Sequence, residues 1–120
     1  MLINELSKRT GVTVYTIRYY ENLGLIQGMT DENIKTNNYK NYDESVVERL
    51  EIIKAAKEVG FTLSETRELM NTWFSNTSTR EEILSFFEKK VAEIDHKIKK
   101  FKQIKKLLEG VMKDIEKGAC

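Results

Sequence analysis

The chain reads as mostly α: a winged helix-turn-helix DNA-binding domain followed by one long dimerisation helix that pairs as an antiparallel coiled coil. Three observations predict this. Residues 11 to 26, Gly-Val-Thr-Val-Tyr-Thr-Ile-Arg-Tyr-Tyr-Glu-Asn-Leu-Gly-Leu-Ile, read as a tight turn feeding a short helix with a basic and aromatic outer face. From Leu84 to Ile115 the apolar residues recur with a heptad period. No proline interrupts the 120 residues, which suits a chain built mainly of helix.

The elements follow in order. Ile3 to Arg9 forms a first helix with Ile3 and Leu6 inward, and Gly11 supplies the left-handed conformation that ends it. Thr13 is the N-cap of a second helix. Val14 and Ile17, three apart, face a core, and Tyr20 follows on that face, while Tyr15, Arg18 and Tyr19 project elsewhere. A helix, a glycine turn and a second helix with Arg and Tyr near its start is the arrangement that reads a DNA major groove. Residues 27 to 42 are rich in turn formers, with Lys40 and Tyr42 alternating against Tyr39 and Asn41, which predicts a hairpin, the wing. Asp43 caps a third helix running through Val59, with Val46, Val47, Leu50, Ile53 and Ala56 inward. Thr62-Leu63-Ser64-Glu65 is a capping box opening a fourth helix to about Trp73. This second helix pair lacks exposed aromatic and basic residues at its start, so it reads as a support for the first.

The domain expectation is 1–74 for the winged helix-turn-helix with its supporting pair, 75–80 for a linker, 81–117 for the coiled-coil helix and 118–120 for a tail. In the long helix Leu84, Val91, Ile98, Lys105 and Met112 take heptad position a, and Phe87, Ile94, Phe101, Leu108 and Ile115 take d. At ~1.5 Å per residue such a helix is about 55 Å long, too long to bury its stripe on a small domain. An intrachain helix hairpin would need a second long helix, which the sequence lacks, so self-association is expected. Lys105, costly in a dry seam, suits an antiparallel pair in which it meets an early part of its partner.

Composition excludes several classes. With 40% hydrophobic and 32% charged residues, no apolar run is long enough to span a membrane. The start, Met-Leu-Ile-Asn-Glu-Leu, has no basic region before an apolar stretch, so no secretory leader is expected. One cysteine excludes an intramolecular disulfide framework and fits a reducing cytoplasm. Residues 1–62 carry 8 Lys/Arg against 9 Asp/Glu, an unusual balance for a DNA binder. The distribution decides the matter, since Lys8, Arg9, Arg18, Lys35 and Lys40 fall on the segments placed at DNA.

The Arg18-Tyr19-Tyr20-Glu21 run followed by Gly24-Leu25 closely resembles the signature of MerR-family transcriptional regulators. The resemblance continues in Asn38 to Tyr42, in Glu48-Arg49-Leu50 with Ile53, in Gly60 to Glu65, in Arg67-Glu68-Leu69 and in the long C-terminal helix, so it spans essentially the whole chain. It implies a homodimer on double-stranded promoter DNA whose near-palindromic site is spaced too widely, distorted so that RNA polymerase can engage. It implies DNA contacts from Thr13, Tyr15, Thr16, Arg18 and Tyr19, and from a wing carrying Lys35, Tyr39 and Lys40. The last two resemble the family's Tyr-Arg wing pair, with lysine losing the bidentate fork. Dimerisation would rest on Leu84, Phe87, Val91, Ile94, Ile98, Phe101, Leu108, Met112 and Ile115.

Blander readings stand beside these. Arg18 could pair with Glu21 on its own helix, and Tyr20 could be wholly core. Metal sensors of this family use several thiolates, whereas this chain has Thr79, Arg80 and Glu81 at the start of the long helix and Cys120 alone as a thiol, so neither metal nor cofactor is expected. The aldehyde-sensing members have a third-helix cysteine where this chain has Ala55 and Ala56. Trp73, Phe74, Phe86 and Phe87 form either core packing or a small apolar pocket for a small-molecule effector. His96 falls on the solvent face, and no nucleophile, paired-carboxylate or phosphate-loop pattern predicts an enzyme. The rival functions are a DNA-architectural or excisionase-like accessory protein and a coiled-coil adaptor without DNA binding.

Overall fold

The computed structural model describes residues 1–30 and 40–118, in two compact units, Met1–Ser75 and a second beginning at Asn76. The first holds α1 (Ile3–Thr10), α2 (Val14–Asn22), β1 (Met29–Thr30), β2 (Lys40–Asn41), α3 (Glu44–Glu58) and α4 (Leu63–Trp73); the second holds α5 (Arg80–Glu116). Among the described residues no helix is long and apolar enough to cross a membrane.

Helices α2 to α5 each begin where the sequence supplies a side-chain acceptor for orphan amides. Thr13 accepts from the Thr16 amide, Asp43 from Ser45, and Thr79 from Glu82. Thr62 and Glu65 bond reciprocally as a capping box. The α1–α2 turn is fixed by Gly11 at φ 74°, whose amide donates to the Ser7 carbonyl at 2.9 Å. Lys54 of α3 closes the end of α1 by donating to the Thr10 carbonyl at 2.6 Å.

One core joins the four short helices. Leu6, Ile17, Leu50, Ile53 and Met70 are essentially without exposure, with Tyr20, Leu25, Ile26, Tyr42 and Val46 around them. The inward residues expected on α3 are all engaged, Val47 at the margin. The supporting role of α3 and α4 takes a specific form, since their cations hold carbonyls of the connector that leaves α2. Arg49 donates to Leu25 at 3.5 Å and lies 4.3 Å from the centre of the Phe74 ring, and Arg67 donates to Leu23. The two-residue strands pair antiparallel, Met29 with Asn41 and Thr30 with Lys40.

On α5 the seam residues Leu84, Phe87, Val91, Ile94, Ile98, Phe101, Leu108, Met112 and Ile115 are all exposed. So are Ile104, Leu107 and Val111, outside the single heptad register expected from the sequence. These three lie beside the heptad positions on the same exposed helix. Lys90, by contrast, is buried and donates to Glu93 at 3.0 Å, and Lys97 joins the same carboxylate at 3.4 Å.

The capping box offers a test of the fold. Thr62→Ala removes the acceptor for the Glu65 amide and should cost about 1 kcal/mol of stability. A urea midpoint equal to wild type would show that the cap contributes nothing.

Candidate nucleic-acid interface

Helix α2 is divided cleanly between a buried and an open face. Ile17 and Tyr20 are buried and Val14 is half-buried, so the intervening positions must point outward. Tyr15 is 82% exposed, Tyr19 is 45% exposed, and Arg18 is open to solvent. Tyr20, for which both core and DNA roles were open, is core at 4% exposure, its ring tilted against Tyr19 at 6.1 Å. At the helix start Thr13 donates to the Thr16 hydroxyl at 2.9 Å while accepting from its amide, which leaves the Thr16 hydroxyl proton free to donate outward.

The sequence allowed an Arg18–Glu21 pair, but the structure makes a different one. Glu21, in the last turn of α2, accepts from Lys40 on one carboxylate oxygen and from the Tyr42 hydroxyl, at 2.6 Å, on the other. Among the described residues no ion pair engages Arg18. Lys40 and Tyr42 are two apart in the chain, on one face of the strand and its end, which lets both reach one acceptor. Burial pushes the Glu21 carboxyl up, but the donors from Lys40 and Tyr42 outweigh it and hold it below its ordinary range. Burial and then the bond to Glu21 push the Tyr42 phenol well up, with the Arg18 charge acting the other way, so Tyr42 stays a donor. A carboxylate at a helix C-terminus is unfavourable by itself, and these two donors offset that.

These residues surround a cavity of about 370 Å³ lined by Leu2, Arg18, Glu21, Asn22, Lys40 and Tyr42, among others. The wing base is packed tightly here, because a Cβ on Gly28 would lie 2.8 Å from the Tyr42 ring. Sequence reasoning missed Glu21 and Tyr42 as structural parts of the site. The alternation of Lys40 with Tyr42 was the signal that could have found them.

Other expectations fare variously. Arg9, expected on the DNA side, is exposed and pairs with both oxygens of Glu44 at 2.5 and 2.8 Å. That pair raises Arg9 and lowers Glu44 from their usual values, each mainly through the shared hydrogen bond. Lys35, Tyr39 and Cys120 lie outside the described residues. Phe74 packs on the core of the first unit beneath Arg49, whereas Trp73 and Phe87 are exposed.

Comparison with known proteins bears on this arrangement. Residues 1–73 match the MerR HTH family regulatory protein description, and residues 47–111 match MerR, DNA binding. The chain belongs to the MerR family. The mercuric resistance operon regulatory protein of Bacillus cereus is 35% identical over 106 residues, covering 88% of this chain and 78% of that one. The HTH-type transcriptional regulator HmrR of Rhizobium leguminosarum bv. viciae is 30% identical over 112 residues, covering 93% and 84%. Among solved structures, the transcription regulator PbrR691 of Ralstonia metallidurans in complex with lead(II) superposes with a TM-score of 0.81 at 26% identity, covering 95% of this chain and 86% of that one. This MerR-family chain is thus a transcriptional regulator of the MerR type, and the relatives it matches are regulators, not enzymes.

The Gly28–Tyr42 contact can be tested directly. Gly28→Ala should lower stability by ~1–3 kcal/mol through overpacking, read as a drop in urea midpoint. An unchanged midpoint would mean that the wing base is not packed on Tyr42.

Proposed function

We propose that this MerR-type regulator acts as a homodimer that sets α2 of each copy in a major groove of promoter DNA and distorts the promoter so that RNA polymerase engages it. The observation that carries the reading is the division of α2: Ile17 and Tyr20 are fixed in the core, while Arg18 and Tyr15 stand exposed with no ion pair claiming the arginine among the described residues. Arg18 and Tyr15 read base edges, and Thr13, Thr16 and Tyr19 bond phosphate or sugar. Lys35 and Tyr39 lie along the backbone, whereas Lys40 is held by Glu21 at the wing base. The open apolar row of α5 supports self-association, and a cytoplasmic site of action follows from a promoter target.

The metals named for two of the similar proteins, mercury and lead, are properties of those proteins. Within its 120 residues the chain has one cysteine and one histidine, and among the described residues no group of three or more His, Cys, Asp or Glu side chains could hold a metal ion. A soft-metal site built from several thiolates is therefore not available to one copy.

Arg18→Ala tests the reading. Specific affinity for the natural operator should fall by ~1–3 kcal/mol with the fold intact by circular dichroism. Unchanged affinity in a gel shift would remove α2 from the groove.

A further inference from the structure

The Lys40–Glu21 pair places a carboxylate where a phosphate-gripping cation is expected. Two features keep it there. The Glu21 side chain is 13% exposed, and its other oxygen is fixed by Tyr42, itself 3% exposed and packed on Gly28. Drawing Lys40 away would leave a largely buried carboxylate short of a donor, which is costly. The same cavity is lined by Arg18, which no ion pair engages among the described residues.

We propose that Glu21 is an internal competitor for DNA phosphate: it neutralises Lys40 in place, so that a phosphate entering the cavity beside Arg18 meets a neutral pair in place of a second cation. The inference rests on the reading that this face of α2 and the wing lies on DNA. Its consequence is thermodynamic. A cation that neutralises a phosphate adds about 0.9 to the slope of log affinity against log salt and strengthens binding to every sequence alike. A lysine already balanced by a carboxylate adds little of either. Glu21 thereby holds down sequence-independent binding while leaving the contacts of Arg18 and Tyr15 untouched.

The test is fluorescence anisotropy on a random-sequence duplex across a series of salt concentrations, with the full chain. Glu21→Gln keeps an acceptor for Tyr42 but frees the charge of Lys40. It should bind several-fold more tightly at low salt, with a slope steeper by about 0.9. The double variant E21Q/K40Q should return to the wild-type slope, and Lys40→Gln alone should leave that slope nearly unchanged. A Glu21→Gln protein with an equal or shallower slope would overturn the proposal, as would a single Lys40→Gln that lowers the slope by about 0.9. If Glu21→Gln fails to fold by circular dichroism, the single Lys40→Gln decides. Wild-type protein that binds no duplex at any salt would sink the DNA reading itself, a result distinct from binding with the wrong slope.

Discussion

The interface depends on the burial of Ile17. With Leu6 and Leu50 it has no exposed surface, and burying a side chain of this size is worth roughly 1.5–3 kcal/mol. Because Ile17 is locked into the core, the next residue on a helix must point outward by about 100°, and that residue is Arg18. The rest of the first unit serves this orientation: Gly11 sets the turn that brings α2 across α1, and Lys54, Arg49 and Arg67 hold the carbonyls on either side of α2.

The wing is tied to α2 by chemistry of a different kind. Lys40 and Tyr42 both donate to one carboxylate of α2, and Tyr42 also joins the buried core around Ile17. Such a tie is directional, and it fixes the base of the wing at the cost of a positive charge. That balance explains why the region's near-neutral composition need not disqualify it from DNA: the acidic residues include partners for cations, as Glu44 is for Arg9 and Glu21 is for Lys40, and among the described residues no ion pair engages Arg18 at the centre of α2.

The fold was largely legible in the sequence because its signals are local. Thr13, Asp43, Thr62 and Thr79 cap helices within three residues of themselves, and the inward faces of α2 and α3 follow from a period of 3.6. The partner choices of charged residues were not legible, since Glu21 had both Arg18 three residues back and Lys40 nineteen residues on. Only the strand pairing at Thr30 and Lys40 brings the second within reach. The Arg9–Glu44 pair was not legible for the same reason, its members being distant in the chain. Lys35 and Tyr39, expected in the wing, lie outside the described residues and leave that part of the expected contact set as it stood in the sequence.

Each protomer carries one α2, and one α2 reads one half-site. The account therefore stands on self-association through α5, whose apolar row from Leu84 to Ile115 is uncovered in a single chain. Sedimentation equilibrium of the full protein at micromolar concentration measures this directly. The account predicts a single species of about twice the 14.0 kDa chain mass. A monomer of 14.0 kDa under those conditions would contradict it.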